Sequence, residues 1–189
     1  MSWIVKVGTL SNASLTDKEK ENNAKEFAQY FILRGASLEA ICGMLGNIER
    51  ESLINPGLKE TESTSSGWGL IQWTPSTIIT NYASSKGKQW SDGELQCDRI
   101  MEEEKTGDWI PTTDYPYSWK EFLQLTDVEL ATKAYEAERE RAGVVAMEER
   151  LANANKWFKY FSGSPIIPTP TPTPTKKKLP IWLMCKRYI

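Results

Sequence analysis

The sequence predicts a mainly α-helical fold, with about six or seven helices around a central buried helix and a small β element after that helix. Apolar residues recur at helical spacing through most of the chain up to residue 161, whereas the alternation typical of strands is almost absent. With 189 residues, 40% of them hydrophobic, and 8 Trp, the chain can bury one domain-sized core. We therefore expect one α+β domain over residues 1–163.

The composition changes abruptly after this domain. Residues 164–175 read SPIIPTPTPTPT, which cannot form a core and predicts an extended linker rich in Pro and Thr. Residues 176–189 read KKKLPIWLMCKRYI, a basic and apolar segment that is too short to span a bilayer. We predict that this segment anchors the domain to another protein. Association with an anionic membrane surface is the rival interpretation.

Capping signals place the first helices. Residues 1–15 contain Trp3, Ile4 and Val5 and predict a short extended segment. Thr16 and Glu19 have the spacing of a capping box, and the apolar periodicity after them predicts a helix that stops at Gly35. Ser37 is a favoured N-cap for the next helix.

That next helix is the central one, and the sequence Asn55-Pro56-Gly57 stops it. Its predicted buried stripe consists of Leu38, Ile41, Met44, Leu45, Ile48 and Ser52. Because a residue that precedes a proline is disfavoured in helical conformation, Glu51 falls in or near the last turn. On a helical wheel Glu51 lies at the rim of the stripe.

Glu51 is the residue that we predict to be a catalytic acid. Apolar surroundings and the negative end of a helix dipole both disfavour a carboxylate anion. A carboxylic acid that keeps its proton near neutral pH is the donor that glycosidic bond cleavage requires. Two alternatives remain open, since Glu51 can simply cap the helix end and Glu49 flanks the other side of the stripe. Periodicity alone does not decide between them.

A polar loop over residues 59–66 leads to Gly67-Trp68-Gly69, where glycines permit a tight turn or the close approach of a ligand. We place the small β element here. Gln72 can hydrogen-bond a sugar hydroxyl or an N-acetyl group, and Trp68 or Trp73 can stack on a pyranose ring. The alternatives are that Trp73 belongs to the core and that Gln72 satisfies a buried backbone group.

Capping pairs and apolar periodicity predict the remaining helices. Their signals are Thr74-Pro75, Ser91 with Glu94, Thr126 with Glu129, and the apolar residues from Met147 to Phe161. Tyr82 faces inward in the first of these helices. Glu102, Glu103 and Glu104 predict a solvated face, because three consecutive helical residues cannot converge on one ion.

Residue counts exclude several chemistries. The chain has no His, which removes Ser-His-Asp and Cys-His catalysis and His-ligated zinc, and its 3 Cys indicate neither a disulfide framework nor a zinc site. We therefore expect no metal and no cofactor. Residues 1–163 carry all 25 Asp and Glu against 18 Lys and Arg, a net charge of −7 that would repel nucleic acid. No stretch of ~18 apolar residues predicts a membrane span, and the first ten residues do not resemble a signal peptide.

Several motifs resemble the phage tail lysozyme family. The chain carries Asn47 to Ser52, then Asn55-Pro56-Gly57, then Gly67-Trp68-Gly69-Leu70-Ile71-Gln72-Trp73-Thr74-Pro75, which match the GN…ES…NPG block and the G-x-G-L-x-Q-W-T-P block of that family. The likeness extends from Trp3 to about Phe161. Further correspondences are Asn22-Asn23-Ala24, Gln96 to Arg99, Glu140-Arg141-Ala142-Gly143 and Arg150.

The resemblance implies a lysozyme-like fold and a role for Glu51 as the catalytic acid. We name as candidate substrate-binding residues Ser52, Trp68, Gln72, Trp73 and Tyr82. The partner carboxylate is not assigned, and Glu60 and Glu62, just after the central helix, are the possibilities.

The resemblance also implies a function. The expected protein is a phage tail-associated peptidoglycan hydrolase of the virion, which cleaves the β-1,4 bond between N-acetylmuramic acid and N-acetylglucosamine to open the host wall during infection. Residues 176–189 would then bind another tail protein. A lytic transglycosylase of the same bond, or a non-catalytic tail adaptor that keeps the fold, are the alternatives.

Overall fold

A computed structural model describes residues 2–141 and 146–163. The predicted linker 164–175 and anchor segment 176–189 lie outside the described residues. The α-helices are α1 (Asp17–Ile32), α2 (Leu38–Ser52), α3 (Thr77–Ser85), α4 (Gly93–Met101), α5 (Glu103–Thr106), α6 (Trp119–Phe122), α7 (Val128–Tyr135) and α8 (Met147–Gly163). A π-helix, Glu136–Glu140, continues α7, and two short parallel strands, β1 (Gly8–Thr9) and β2 (Leu58–Lys59), pair with each other.

The predicted mainly α fold with a small β element is confirmed. The part of the chain that the structure describes holds eight α-helices rather than the predicted six or seven. The difference comes from α5 and α6, which have four residues each and are too short for apolar periodicity to reveal. Among the described residues, none of the helices combines the length and hydropathy of a membrane span.

Helix α2 is the centre of the fold, and α1, α7 and α8 pack around it. Its predicted stripe is buried apart from Leu38, which is half-buried, and Ile41, Leu45 and Ile48 are fully inaccessible. Two glycines allow the neighbouring helices to come close. A Cβ at Gly43 would lie 2.8 Å from the Cβ of Ala131 in α7, and one at Gly46 would lie 2.5 Å from the carbonyl oxygen of Arg150 in α8. Helix α8 therefore lies directly against α2.

The first two predicted caps are confirmed. Thr16 forms a capping box with Glu19, and the Ser37 hydroxyl accepts a hydrogen bond from the N–H of Ala40. The caps predicted from Ser91 and Thr126 are each wrong by one residue. The N-caps are Asp92 and Asp127, whose carboxylates accept the N–H groups of Leu95 and Leu130 and complement the positive end of the helix dipole.

The start of α3 is also later than predicted. The helix begins at Thr77 rather than at the Thr74-Pro75 signal. Both the N–H (3.0 Å) and the hydroxyl (2.9 Å) of Ser76 donate to the carbonyl oxygen of Thr64. The segment before α3 is thus bound to the polar loop.

Candidate active site

A tightly held turn ends α2 directly after Glu51. Leu53 and Ile54 both adopt left-handed backbone conformations, with φ of 53° and 58°, which terminates the helix. The side-chain nitrogen of Asn55 donates to the carbonyl oxygens of Lys6 (2.8 Å) and Ala13 (2.8 Å), so the N-terminal segment holds the turn in place. Glu51 is therefore in the last turn, as predicted.

A cleft of about 640 Å³ lies beside this helix end. It is lined by Glu51 and Arg50 of α2, by residues of the loop after α2, by Ile78 of α3 and by residues of the π-helix and its surroundings. The other lining residues are Leu10, Leu58, Lys59, Glu60, Ile71, Gln72, Trp73, Thr74, Asp108, Arg139, Glu140 and Arg141.

A buried guanidinium fixes the carboxyl group of Glu51. Nη2 of Arg150 donates to Oε1 of Glu51 at 2.7 Å, and Nη1 of Arg150 donates to the side-chain oxygen of Asn47 at 2.8 Å. Asn47 is held in turn by hydrogen bonds to the carbonyl oxygens of Gly43 and Thr132. The expected apolar surroundings of Glu51 therefore need correction, because this side chain is 24% exposed and has a cationic partner.

Glu49 has a different environment on the opposite side of α2. Its carboxylate accepts hydrogen bonds from Nζ of Lys156 at 2.6 Å and from Nε1 of Trp157 at 2.8 Å. Only 7% of the side chain is exposed. Glu49 does not line the cleft, so geometry separates the two residues that periodicity could not.

Glu140 of the π-helix also places a carboxyl group in the lining of the cleft. Its Oε1 atom is buried, and no described residue gives it a hydrogen bond. Burial, the largest cause, raises the pKa of Glu140 to about 8; Arg139 opposes this shift, and the charge of Glu51 adds to it. The cleft thus combines a carboxyl paired with a guanidinium and a carboxyl that favours its protonated form.

Other charged groups lie close to Glu140. Arg139 forms an ion pair with Glu103, which is fully buried, and burial raises the pKa of the Glu103 carboxyl. The expectation that Glu103 lies on a solvated face is therefore wrong. Arg141 donates to the carbonyl oxygens of Asp108 and Glu138. Among residues 2–141 and 146–163, no cluster of three or more His, Cys, Asp or Glu could hold a metal ion.

Two of the candidate substrate-binding residues line the cleft. Gln72 has a left-handed backbone, with φ of 48°, and its side-chain nitrogen donates to the carbonyl oxygen of Gly69 at 2.7 Å. Trp73 is only 1% exposed, which is the exposure of a core residue. Its Nε1 atom has no hydrogen-bond partner among the described residues.

The other three candidates do not line the cleft. Ser52 is buried, and its hydroxyl donates to the carbonyl oxygen of Ile48. Trp68 donates from Nε1 to the carbonyl oxygen of Thr61 and packs on Trp90 with ring centroids 4.9 Å apart. Burial of Tyr82 raises the pKa of its hydroxyl to about 12. None of the three is among the residues that line this cleft, and their part in substrate binding stays a prediction.

The structure also distinguishes the proposed partner carboxylates. Glu60 lines the cleft and accepts a hydrogen bond from the N–H of Gly67 at 3.2 Å. Glu62 does not line it, since its exposed side chain pairs with Lys59 at 2.6 Å. Glu140 was not among the partner carboxylates considered from the sequence, although it lies in a family motif and lines the cleft.

The chain is similar in sequence to known phage proteins. The family model described as phage tail lysozyme matches residues 22–161. A relative, "Morphogenesis protein 1" of Bacillus phage B103, is 38% identical over 158 residues, which are 80% of this chain and 42% of that protein. The chain therefore spans less than half the length of this curated relative. With its motifs, fold and family match in agreement, the chain belongs to the phage tail lysozyme family.

Proposed function

We propose that this protein is a peptidoglycan glycosidase of the N-acetylmuramidase type, with Glu51 as its general acid. The observation that supports the proposal is the position of Glu51, whose carboxyl lies in an open cleft while buried Arg150 holds one of its oxygens at 2.7 Å. A polymeric glycan needs an accessible cleft, and the scissile bond needs a fixed proton donor. The end of α2 provides both.

The contacts of Glu51 fix the position of its carboxyl group in the cleft. Glu51 would protonate the glycosidic oxygen between N-acetylmuramic acid and N-acetylglucosamine, which leaves a carboxylate behind. The Arg150 guanidinium already faces this group and stabilises the negative charge that forms during proton transfer. Gln72, Glu60 and Arg141 add polar groups to the cleft for sugar hydroxyls and N-acetyl groups.

The decisive variant is Glu51→Gln in the full chain. The amide keeps the shape and can still accept from Arg150 but cannot donate a catalytic proton, so cleavage of purified peptidoglycan should fall at least ~10²-fold without loss of folding. Glu49→Gln is the matched control on the same helix and should keep most activity. Loss of activity in the Glu49 variant alone would refute the assignment.

The product distinguishes hydrolysis from transglycosylation. We expect reducing N-acetylmuramic acid ends, which mass spectrometry of digested sacculi detects. Anhydro-muramic ends, lighter by one water, would make the protein a lytic transglycosylase. Intact glycan after digestion, with folded protein, would favour the non-catalytic tail adaptor.

We further propose that the enzyme acts from the virion tail and opens the host wall during infection. Membership in the phage tail lysozyme family supports this location, and so does the phage relative, whose name describes a morphogenesis protein. Immunogold labelling of purified particles tests it. Tail labelling is the expected result, and absence of the protein from particles would contradict it.

A further inference from the structure

A fully buried amide, that of Gln96 in α4, joins three segments of the chain. Its side-chain oxygen accepts the N–H of Leu70 at 2.7 Å. Its side-chain nitrogen donates to the carbonyl oxygens of Pro56 at 2.7 Å and of Trp90 at 2.8 Å. Because a side-chain amide has two N–H groups and one oxygen, these bonds use both donors and the acceptor. They therefore fix the position and the orientation of the amide.

Two of the three segments lead into the lining of the cleft. Pro56 precedes residues 58–60 and Leu70 precedes residues 71–73, and both ranges line the cleft. Gln96 is not among the lining residues. Any influence of Gln96 on a bound ligand must therefore pass through these two segments.

A single peptide group links Gln96 to a candidate substrate-binding residue. The peptide between Gly69 and Leu70 donates its N–H to Oε1 of Gln96 at 2.7 Å, and its carbonyl oxygen accepts the side-chain nitrogen of Gln72 at 2.7 Å. Because a peptide group is planar, fixing its N–H also fixes its carbonyl oxygen. The buried amide thus determines where Gln72 finds its hydrogen-bond acceptor.

Gly69 allows the loop to approach this amide closely. Its φ is 86°, and a Cβ there would lie 2.9 Å from both Oε1 and Nε2 of Gln96. A larger residue would push the loop away from α4. The contact between the loop and Gln96 is therefore tight on both sides.

We propose that Gln96 is a positioning residue for glycan binding, because its buried amide holds the peptide at residues 69–70, and with it Gln72, at the wall of the cleft. This inference rests on the proposed glycosidase function. Glu51 is held separately, by Arg150 of α8. Loss of the Gln96 amide should therefore weaken glycan binding and leave proton transfer by Glu51 largely intact.

The test is Gln96→Met in the full chain. Methionine has a similar length and no charge, but it cannot replace the three hydrogen bonds. KM for soluble glycan strands released from purified peptidoglycan should rise at least ~10-fold while kcat changes less than ~3-fold, which is the pattern of lost ground-state binding. A purely structural role would lower the amount of folded enzyme and leave the KM of that enzyme unchanged.

Asn23→Leu is the matched control. Asn23 is also fully buried, accepts the N–H of Ile4 at 2.8 Å, and donates to the carbonyl oxygens of Ile4 at 2.8 Å and of Ile54 at 2.9 Å. These bonds reach none of the loop residues 67–73. The variant should lose stability in chemical denaturation as Gln96→Met does, but its KM should stay within ~3-fold. An unchanged KM in Gln96→Met, or an equal rise in both variants, refutes the positioning role.

Glycan binding can also be measured without catalysis. In the Glu51→Gln background, isothermal titration calorimetry with the same glycan strands should give a Kd at least ~10-fold higher when Gln96→Met is added. The addition of Asn23→Leu should leave this Kd unchanged. Equal Kd values with and without Gln96→Met would overturn the inference.

Hydrogen exchange on the unmodified full chain keeps the inference testable if Gln96→Met does not fold. The N–H of Leu70 should exchange at least ~10²-fold more slowly than that of Glu62, an exposed residue of the preceding loop. Equally fast exchange at the two positions would show that the amide does not hold the loop.

The two proposals fail differently. An active Glu51→Gln enzyme would refute the proposed function itself. An inactive Glu51→Gln enzyme that binds glycan equally well with and without Gln96→Met would refute only the role of Gln96.

Discussion

Arg150 donates from its two terminal nitrogens to two different acceptors, Glu51 and Asn47. The fork of a guanidinium fits this task, since it presents several N–H groups in a fixed plane. The side-chain nitrogen of Asn47 donates in turn to the carbonyl oxygens of Gly43 in α2 and Thr132 in α7. The position of the acid is therefore determined by three helices.

We predict that Arg150→Lys lowers kcat/KM at least ~10-fold with a smaller loss of stability. A lysine keeps the charge but has no planar fork to hold Glu51 and Asn47 together. The unsatisfied oxygen of Asn47 should cost about 1–3 kcal/mol of unfolding free energy. Denaturation and peptidoglycan assays on the same preparation separate the two effects.

Arg34→Lys is the control for this prediction. Arg34 lies over the ring of Tyr30, away from the cleft, and its substitution should leave activity unchanged. An Arg150→Lys enzyme with normal activity would mean that the guanidinium does not position Glu51.

Side-chain roles near Glu51 were only partly predictable. The helix-ending signal in Asn55-Pro56-Gly57 placed Glu51 in the last turn, and the structure agrees. Periodicity could not separate Glu51 from Glu49, because the partners that distinguish them, Arg150 and Lys156, lie 99 and 107 residues away in sequence. Local patterns contain no information about such pairings.

At the scale of elements, the approach of α8 to α2 depends on Gly46. A methyl group there would collide with the carbonyl oxygen of Arg150 and with the side chain of Ala154. The backbone of Arg150, whose side chain holds Glu51, is thus in direct contact with α2.

We predict that Gly46→Ala destabilises the fold by about 1–3 kcal/mol, although alanine favours helix by ~1 kcal/mol. The displaced Arg150 should lower activity as well. Chemical denaturation and activity assays measure both. Gly163→Ala is the control, because a Cβ there meets no atom within 4 Å and should leave stability unchanged or slightly higher.

The π-helix should make stability depend on pH. Burial raises the pKa of Glu138 to about 7 and that of Glu140 to about 8, against 4.5 for an ordinary Glu. At these two positions the folded state therefore binds more protons than the unfolded chain above pH 4.5. Stability that is present at lower pH is lost as the pH rises toward 8.

We expect the melting temperature to fall by several degrees between pH 5 and pH 9, given roughly 2–4 °C per kcal/mol for a domain of this size. Glu138→Gln should flatten this fall, since an amide stays neutral. A melting temperature that is constant over this range would show that neither acid is neutral in the fold.

Element predictions succeeded where the signal is local. The capping box of Thr16 and the cap of Ser37 are confirmed, whereas the caps at Asp92 and Asp127 were each placed one residue early. Ser91 precedes Asp92 and Thr126 precedes Asp127, and either residue of each pair is a good N-cap. The helix dipole favours the charged aspartate as the N-cap. The π-helix has no distinct periodicity, so the sequence predicted only the end of α7.

At the scale of the whole molecule, the fold class and family followed from motifs that are contiguous in sequence. The cleft could not be predicted in this way, because the residues that line it are spread along the sequence from Leu10 to Arg141. The division into a domain, a linker at 164–175 and an anchor at 176–189 stays a prediction.

We predict that deletion of residues 176–189 leaves cleavage by the purified enzyme unchanged but removes the enzyme from assembled particles. The 12-residue linker would hold the domain up to ~35 Å from its anchor in an extended conformation. Quantitative immunoblots of particles measure the incorporation. Normal copy number after the deletion, or a tail peptide that binds anionic vesicles but no virion component, would contradict docking on a tail protein.

The ion pair between Glu51 and Arg150 has a consequence for synthesis. The ribosome adds Arg150 99 residues after Glu51, a delay of roughly 5–20 s at ordinary translation rates. Throughout this interval Arg150 is not yet present to hold the Glu51 carboxyl in position. Under the proposed function, glycan cleavage can begin only when α8 docks, so the onset of activity in a cell-free translation reaction would time this folding step.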